Sequence, residues 1–314
     1  MTTTEALVVT APDVMELQQV QVPDPGPDEV QVRVGAVGVN FIDVYQRQGV
    51  YPVPRPFTTC SEGAGEVVGT GERVAWAQRL GSAAGVINVP RDALVPVPDG
   101  VDLDVAAAAM LQGMTAHYLV NTTYEIKPGD VALVHAAAGG VGQLLVQMIT
   151  RKGGEVIATA GTADKLEIAQ RLGARGAIDY TQSGDLAEKV REANGGNGVQ
   201  VAYDGVGKAT FEASLASLRR RGMLVLFGGA SGQVPPFDLQ RLNSGGSLYV
   251  TRPTLAHYIE TREDLLHRAG EVLGAISAGE LSLEIGGRYP LRDAASAYAD
   301  LEGRRTTGKL LLVP

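Results

Sequence analysis

A glycine-rich turn in the middle of the chain is the clearest candidate for chemistry. An apolar run at 131–135 precedes the turn at 136–142, and an apolar stretch at 143–150 follows it. In dinucleotide-binding folds one small residue makes a tight turn, one glycine lets the backbone approach the pyrophosphate, and another lets the helix pack on the strand. Gly139 and Gly142 hold the two latter positions, and an alanine holds the first. The spacing predicts a dinucleotide site, with a glycine turn that binds nothing as the alternative.

The residues that would follow the second strand indicate which dinucleotide is bound. An acidic residue at that point would hold the ribose 2′-OH of NAD, but residues 159–162 contain none. Lys165, on the first turn of the next predicted helix, can meet a 2′-phosphate as a point charge. Asp164 is an acidic residue close to this point and complicates the choice of cofactor. An acid at the start of a helix, however, equally serves to offset the helix dipole. The pattern favours NADP, and a solvated helix lysine is the alternative for Lys165.

Two further glycine-rich stretches follow later apolar runs. They cover residues 203–207 and 227–232. Ligands of parallel sheets bind outside the carboxyl ends of the strands, so these glycines are candidates for ligand contact. Turns that need a positive φ explain them equally well.

Groups for acid–base or nucleophilic catalysis are sparse. The four histidines are scattered without metal-ligand spacing, Cys60 lacks a visible activator, and no Gly-x-Ser-x-Gly motif is present. Hydride transfer tolerates this, because the nicotinamide carries the chemistry and the protein orients it. Polar and aromatic residues interleave closely at 39–45, which makes Asn40 and Tyr45 candidates for the catalytic site. An ordinary strand-to-helix turn is the alternative for this segment.

Composition and charge exclude several classes of protein. The chain has 314 residues, with 27 basic and 35 acidic side chains and a net charge of −8. Its one cysteine allows no intrachain disulfide or cysteine-rich zinc module, and its acidity leaves no basic surface for nucleic acid. The start of the chain lacks a signal-peptide pattern, and no stretch approaches the ~20 apolar residues that span a bilayer. We therefore expect a soluble, cytoplasmic protein without nucleic-acid or membrane partners.

The patterning divides the chain into an α/β middle and two β-rich flanks. Short β-prone runs between turns fill the first hundred residues and indicate a barrel-like domain. Between 131 and 250, apolar runs alternate with helical patterns, which is typical of a doubly wound parallel sheet. The tail mixes helical patterns with strand-like runs, among them 281–283. The expected segments are a β-rich domain, an inserted Rossmann nucleotide domain and a return to the first domain: 1–115, 116–255 and 256–314.

Six stretches of the sequence carry a further pattern: residues 38–43, 122–129, 135–142, 161–165, 246–253 and 289–294. Together they resemble the medium-chain dehydrogenase/reductase superfamily, and within it the zinc-free quinone oxidoreductases of the zeta-crystallin-like branch. The similarity runs nearly end to end, and some stretches are specific to this branch.

The resemblance implies a GroES-like β-barrel domain with a C-terminal return, a Rossmann domain between its two parts, and a homodimer. In zinc-dependent members a cysteine falls at the position of Asn40 and a histidine at that of Ser61. These replacements and the single cysteine both imply that no metal is bound. The chain departs from its branch at Gly205, where close relatives have serine, and in a shortened hairpin at 68–73.

The resemblance also implies which residues hold the cofactor. A lysine, a tyrosine and an arginine bind the 2′-phosphate of NADPH in bacterial quinone oxidoreductases, and they correspond to Lys165, Tyr180 and Arg304. Because all three are present, the resemblance implies NADPH. The other expected cofactor-binding residues are Phe41, Ile42, Asp43, Tyr45, Tyr118, Gly139, Gly140, Val141, Gly161, Thr162, Gly205, Phe227, Gly228, Gly229, Ala230, Thr251, Arg252 and Pro253.

The residues and the resemblance together favour an oxidoreductase that reduces quinones with NADPH. We expect hydride transfer from C4 of the nicotinamide, with Asn40, Tyr45 or a water stabilising the charge that develops on the quinone oxygens. An NADPH-dependent reductase of alkenals or enones is the first alternative. A nucleotide-binding structural or RNA-binding protein is the second, and the acidic net charge counts against RNA.

Overall fold

The computed structural model describes residues 1–181 and 184–314. Within them the chain packs into two compact units. Unit 1 comprises Met1–Met114 and Ile259–Pro314, and unit 2 comprises Thr115–Tyr258. These units are defined by packing, and the predicted boundaries of the functional domains stay a prediction.

The strands and helices of the described residues are numbered in chain order. The strands are β1 (Thr2–Ala11), β2 (Val14–Val22), β3 (Glu29–Val39), β4 (Phe57–Thr58), β5 (Gly63–Val67), β6 (Arg73–Trp76), β7 (Val86–Pro90), β8 (Val95–Pro96), β9 (Val131–Val134), β10 (Glu155–Ala160), β11 (Gly176–Asp179), β12 (Val199–Asp204), β13 (Leu218–Leu226), β14 (Tyr249–Thr251), β15 (Ile285–Pro290) and β16 (Lys309–Val313). The helices are α1 (Phe41–Gln48), α2 (Leu103–Tyr118), α3 (Gly140–Arg151), α4 (Ala163–Arg171), α5 (Leu186–Ala193), α6 (Phe211–Ala216), α7 (Gln240–Ser244), α8 (Arg262–Ser277) and α9 (Ala294–Glu302).

Unit 1 is built mainly from antiparallel sheets. One sheet has the order β2-β1-β4, and the other has the order β15-β16-β3-β5-β6-β8, with β7 also pairing with β3. The C-terminal strand β16 is apolar after its first residue and almost wholly buried, so it joins the middle of the sheet and not its edge. Its register places Leu310 opposite Val39. The end of the chain is thereby brought beside the junction of β3 and α1.

Unit 2 contains a six-stranded sheet with the order β11-β10-β9-β12-β13-β14. All of its pairings are parallel. From β9 the chain moves to one side through β10 and β11, and then resumes on the other side with β12. The crevice outside the carboxyl ends of β9 and β12 is therefore a topological switch point, where such sheets bind their ligands. The predicted doubly wound parallel sheet, inserted between two sequence segments of a β-rich unit, is confirmed.

The expected strand at 281–283 is wrong. The N–H groups of Glu280 and Leu281 both donate to the carbonyl of Ala275 and so close the end of α8. The apolar pattern there reflects the burial of Leu281 and not sheet pairing. The strand begins later, where Ile285 pairs with Lys309.

No helix of the described residues is long and apolar enough to cross a membrane.

Candidate active site

The glycine-rich turn lies where β9 ends and α3 begins. Gly139 is the N-cap residue of α3, and its N–H donates to the carbonyl of Ala136 at 2.9 Å. A Cβ at Gly142 would lie 2.8 Å from Cα of Ala137, and it would also collide with the carbonyl of Ala136. The helix and the turn are therefore in backbone contact, which is the close approach that the fingerprint glycines permit.

The first turn of α3 can receive an anion. Gly139 and Gly140 are half-buried, and since glycine has no side chain, their backbone is partly accessible; Val141 is half-buried as well. Backbone N–H groups in the first turn of a helix have no partner within the helix, and the helix dipole makes this end positive. The arrangement fits a pyrophosphate, the group that a dinucleotide would present here.

The end of β10 gathers the residues that could hold a 2′-phosphate. Thr162 caps α4 by accepting from the N–H of Lys165 at 3.4 Å. The hydroxyl of Tyr180 lies against Gly161, where a Cβ would approach it to 2.8 Å. Lysine and tyrosine therefore flank one short turn in unit 2, with the lysine half-buried. Arg304 belongs to unit 1, and its part in the predicted phosphate site stays a prediction.

The loops after β12 and β13 are joined by backbone contacts. The N–H of Ala230 donates to the carbonyl of Gly205 at 3.2 Å. A Cβ at Gly228 would lie 2.8 Å from Cα of Gly205, and one at Gly205 would lie 2.8 Å from the ring of Phe227. Gly205, Gly229 and their neighbours 227–230 are half-buried at the carboxyl edge of the sheet. The glycines let two loops meet closely, and their contact with a cofactor stays a prediction.

The remaining candidates of unit 2 are held by contacts with neighbouring residues. The guanidinium of Arg252 donates to the carbonyl of Leu226 at 2.9 Å, which ties the segment of Thr251 and Pro253 to the end of β13. Tyr118 is buried and stacks on Tyr258 with ring centroids 4.1 Å apart. Burial raises the pKa of Tyr118 above its usual range, so its hydroxyl stays protonated.

In unit 1 the amide of Asn40 is held on both sides. Its Nδ2 donates to Oε1 of Glu62 at 2.6 Å and to the carbonyl of Gly38 at 3.4 Å. Its Oδ1 accepts from Nζ of Lys309 at 2.6 Å and from Nε2 of Gln112 at 3.3 Å. Both hydrogens of the amide therefore have acceptors within the protein. The long bond to Gly38 is the one that a substrate oxygen could displace.

Glu62 and Lys309 form a buried ion pair beneath Asn40. Their side chains are 0% and 1% exposed. Nζ of Lys309 pairs with Oε1 of Glu62, and Oε2 of Glu62 accepts from the N–H of Leu111 at 2.6 Å. Removing two charges from water is costly, so each depends on the other and on its hydrogen bonds. The sequence patterns missed both residues, although a lysine at the head of the otherwise apolar run 310–313 was an available signal.

Asp43 lies at the start of α1 and is fully buried. Its Oδ2 accepts from the N–H of Asn40 at 2.7 Å, whereas its Oδ1 has no hydrogen-bond partner among the described residues. Burial raises the pKa of Asp43 from 3.8 to about 7, and the bond from Asn40 and the charge of Lys309 offset this only in part. Its predicted contact with a cofactor stays a prediction. Cys60, also buried, lies 3.4 Å from the hydroxyl of Tyr298.

The other candidates of α1 lie on its half-buried face. Phe41, Ile42 and Tyr45 share this exposure. The ring of Tyr45 is 6.2 Å from that of Phe41 and meets Tyr51 edge to face at 5.4 Å. An aromatic surface that carries phenolic hydroxyl groups thus follows directly on Asn40, and this combination suits a flat, polarisable substrate.

Comparisons with known proteins agree with this geometry. Residues 26–99 match the alcohol dehydrogenase GroES-like domain, and residues 140–268 match the zinc-binding dehydrogenase family. The quinone oxidoreductase of Pseudomonas aeruginosa is 44% identical to this chain, and the match covers 96% of both. The chain belongs to the quinone oxidoreductases of the medium-chain dehydrogenase/reductase superfamily.

Other members of this superfamily match over nearly the same length. The structure of the Escherichia coli quinone oxidoreductase complexed with NADPH superimposes with a TM-score of 0.94 at 41% identity, covering 99% of both chains. The 2-haloacrylate reductase of a Burkholderia species is 40% identical over 96% of both chains. The protein is thus an oxidoreductase, and the resemblance inferred from its motifs is confirmed.

Proposed function

We propose that this protein reduces quinones with NADPH, without zinc. The observation that carries the proposal is the turn at the end of β10, where Lys165 and Tyr180 flank Gly161 and no carboxylate occupies 159–162. The likeness to a quinone oxidoreductase solved with NADPH supports the same cofactor.

In this proposal the residues of unit 2 hold the cofactor. The N–H groups of Gly140 and Val141 bind the pyrophosphate at the positive end of α3. Gly139, whose own N–H bonds to Ala136, lets the backbone approach the phosphates. Lys165 and Tyr180 bind the 2′-phosphate. When bound, NADPH supplies a hydride from C4 of its nicotinamide.

The residues of α1 act on the substrate. The aromatic surface of Phe41 and Tyr45 holds the quinone ring, and the hydroxyl of Tyr45 donates to the oxygen on which negative charge develops. Asn40 can donate to that oxygen by giving up its 3.4 Å bond to Gly38, and a water can serve in its place. Glu62 and Lys309 keep the amide in a single orientation, because the carboxylate only accepts and the ammonium only donates.

Turnover with paired substrates tests the reaction. We expect the purified protein to oxidise NADPH in the presence of simple quinones, followed by absorbance of the reduced nicotinamide. Simple enals and enones are the matched alternatives, since the 2-haloacrylate reductase is 40% identical to this chain. Turnover of enones without turnover of quinones would replace the proposed function with that of an enone reductase.

Lys165→Ala tests the assignment of the 2′-phosphate. A charge-assisted hydrogen bond contributes about 1.5–3 kcal/mol, so we expect the Kd for NADPH to rise by about ten- to a hundredfold. NADH lacks the phosphate, and its Kd should change by no more than about twofold. Calorimetric titration of both nucleotides gives the comparison.

Lys189→Ala is the matched control for this prediction. Lys189 is an exposed helix lysine of the same unit, paired with Glu192. It should leave the Kd of both nucleotides unchanged. Equal losses of NADPH and NADH in the Lys165 variant would contradict the assignment.

We further propose that the protein acts as a homodimer in the cytoplasm, without nucleic-acid or membrane partners. The acidic net charge of −8 supports the absence of nucleic acid. Strand β14 ends the sheet of unit 2 and exposes Tyr249 and Val250, which suits pairing with a second copy. Sedimentation of the purified protein measures the oligomeric state, and a salt-dependent gel shift with RNA would revive the nucleic-acid alternative.

A further inference from the structure

Four buried side chains of unit 2 form one hydrogen-bonded chain below the carboxyl edge of the sheet. His135 has Nδ1 2.9 Å from Oγ1 of Thr159 and Nε2 2.9 Å from Oγ of Ser214. Ser214 in turn lies 2.7 Å from Oδ2 of Asp204. None of the four is more than 1% exposed. This hydrogen-bonded network thus links β10, the end of β9, α6 and β12.

Asp204 can only accept hydrogen bonds in this arrangement. Its Oδ1 receives the N–H groups of Val206 at 2.8 Å and Gly207 at 2.9 Å. Oγ1 of Thr210 lies 2.8 Å from both carboxylate oxygens. Because donors surround the carboxylate, the hydroxyl hydrogen of Ser214 is directed to Oδ2.

The position of every proton follows from that direction. The one hydroxyl hydrogen of Ser214 is donated to Asp204. Oγ of Ser214 must therefore accept a hydrogen bond from Nε2–H of His135. Burial lowers the pKa of His135, and the carboxylate of Asp204 offsets only part of this, so the ring is neutral. A neutral ring protonated at Nε2 has a bare Nδ1, which accepts from the hydroxyl of Thr159. In every hydrogen bond of this network the donor therefore lies on the side of Thr159 and the acceptor on the side of Asp204.

Each end of this hydrogen-bonded network adjoins a loop that is expected to contact the cofactor. His135 directly precedes the turn at 136–142, and the N–H of Ala137 donates to the carbonyl of Thr159 at 3.1 Å. Thr159 precedes the turn of Gly161 and Lys165. Asp204 precedes Gly205 and holds the loop behind it through two backbone N–H groups. The pyrophosphate turn, the 2′-phosphate turn and the loop after β12 share one buried support.

We propose that His135, Ser214 and Asp204 are positioning residues, which hold the three cofactor loops in one mutual arrangement through a neutral, Nε2-protonated imidazole. The proposal rests on the proposed function, because it presumes that these loops bind NADPH. Misplacement of such loops weakens binding, since the charge-assisted hydrogen bonds to phosphate depend on geometry.

Ser214→Ala tests the proposal, with Ser217→Ala as the matched control. Ser217 is also fully buried, and its hydroxyl donates to the carbonyl of Ala213 outside the network. We expect the Ser214 variant to raise the Kd for NADPH and for NADH alike, by about tenfold, with the KM for quinone unchanged. The Ser217 variant should leave all three values near those of the wild type.

The outcomes separate this inference from the proposed function. Failure of the wild-type protein to bind NADPH overturns both. Binding by the wild type with equal nucleotide affinities in the Ser214 and Ser217 variants overturns the inference alone.

Nitrogen NMR of the histidine side chains in the wild-type protein tests the proton arrangement directly. The chain has four histidines, and loss of one set of signals in His135→Gln assigns the ring. We expect a neutral ring with hydrogen on Nε2 and a bare Nδ1. The opposite tautomer, or a charged ring at neutral pH, overturns the proton arrangement and with it the coupling of the loops.

Discussion

Lys309→Met is expected to lower the free energy of unfolding by about 3–5 kcal/mol. Methionine keeps the length and the apolar stem of the side chain but removes its charge. Glu62, which is 0% exposed, then keeps a buried carboxylate without its cation, and Asn40 loses the donor at 2.6 Å from its Oδ1. Urea unfolding followed by circular dichroism measures the change.

A double variant separates the charge from the shape of this site. Glu62→Gln combined with Lys309→Met removes both charges, and neutral replacement of a buried ion pair often restores stability. We expect the double variant to unfold near the wild-type midpoint, whereas Lys208→Met, at an exposed lysine, should change little. A single Lys309 variant as stable as the wild type would show that the pair does not support the fold.

The same double variant should remain impaired in catalysis. The glutamine amide that replaces the carboxylate of Glu62 can donate as well as accept, so nothing would then direct Oδ1 and Nδ2 of Asn40 to opposite sides. We expect quinone turnover to stay low in a protein that is fully folded. Recovery of both stability and turnover would mean that the orientation of Asn40 has no part in the reaction.

Asp43 should make the protein less stable as the pH rises from about 4 to about 7. Its pKa is raised from 3.8 to about 7 by burial. In this window the folded protein keeps a proton that the unfolded chain releases, so the free energy of unfolding falls with rising pH. A shift of this size corresponds to about 4 kcal/mol over the whole window. Above it both states are ionised, and the contribution to the slope ends.

Asp43→Asn is expected to remove this pH dependence. Asparagine retains an oxygen for the N–H of Asn40 and cannot ionise, so the variant should match the wild type near pH 4 and exceed it near pH 8. Urea unfolding across this range provides the measurement. Asp99→Asn, at an exposed aspartate, is the control and should leave the slope unchanged. An unaltered slope in the Asp43 variant would contradict the assignment.

The two predictions are linked through one cluster. The charge of Lys309 lowers the pKa of Asp43, and that of Glu62 raises it. Lys309→Met should therefore move the pH at which stability is lost to a higher value, in addition to its main effect. This second shift distinguishes a specific electrostatic contact from a general loosening of unit 1.

Local patterns were sufficient to predict the Rossmann sheet and the glycine-rich turn between its first strand and helix. The strand, the glycines and the helix of 131–151 are contiguous, and the interactions that shape them act between near neighbours. The close packing of Gly142 on Ala136 is likewise a contact across a few residues. The tail was harder, because the apolar run at 281–283 is buried against a helix end and not paired in a sheet.

The parallel sheet, the glycine-rich turn and the candidate Lys165 could be predicted from residue order, because each is encoded in a short segment. The candidate Tyr180 came only from the resemblance to the quinone oxidoreductases. Folding in three dimensions was needed to pair Lys309 with Glu62, 247 residues away, and to join His135 to Ser214, 79 residues away. Such pairs arise from the register of strands that are distant in the chain. Their energy comes from burial, which no local pattern of residue types reports.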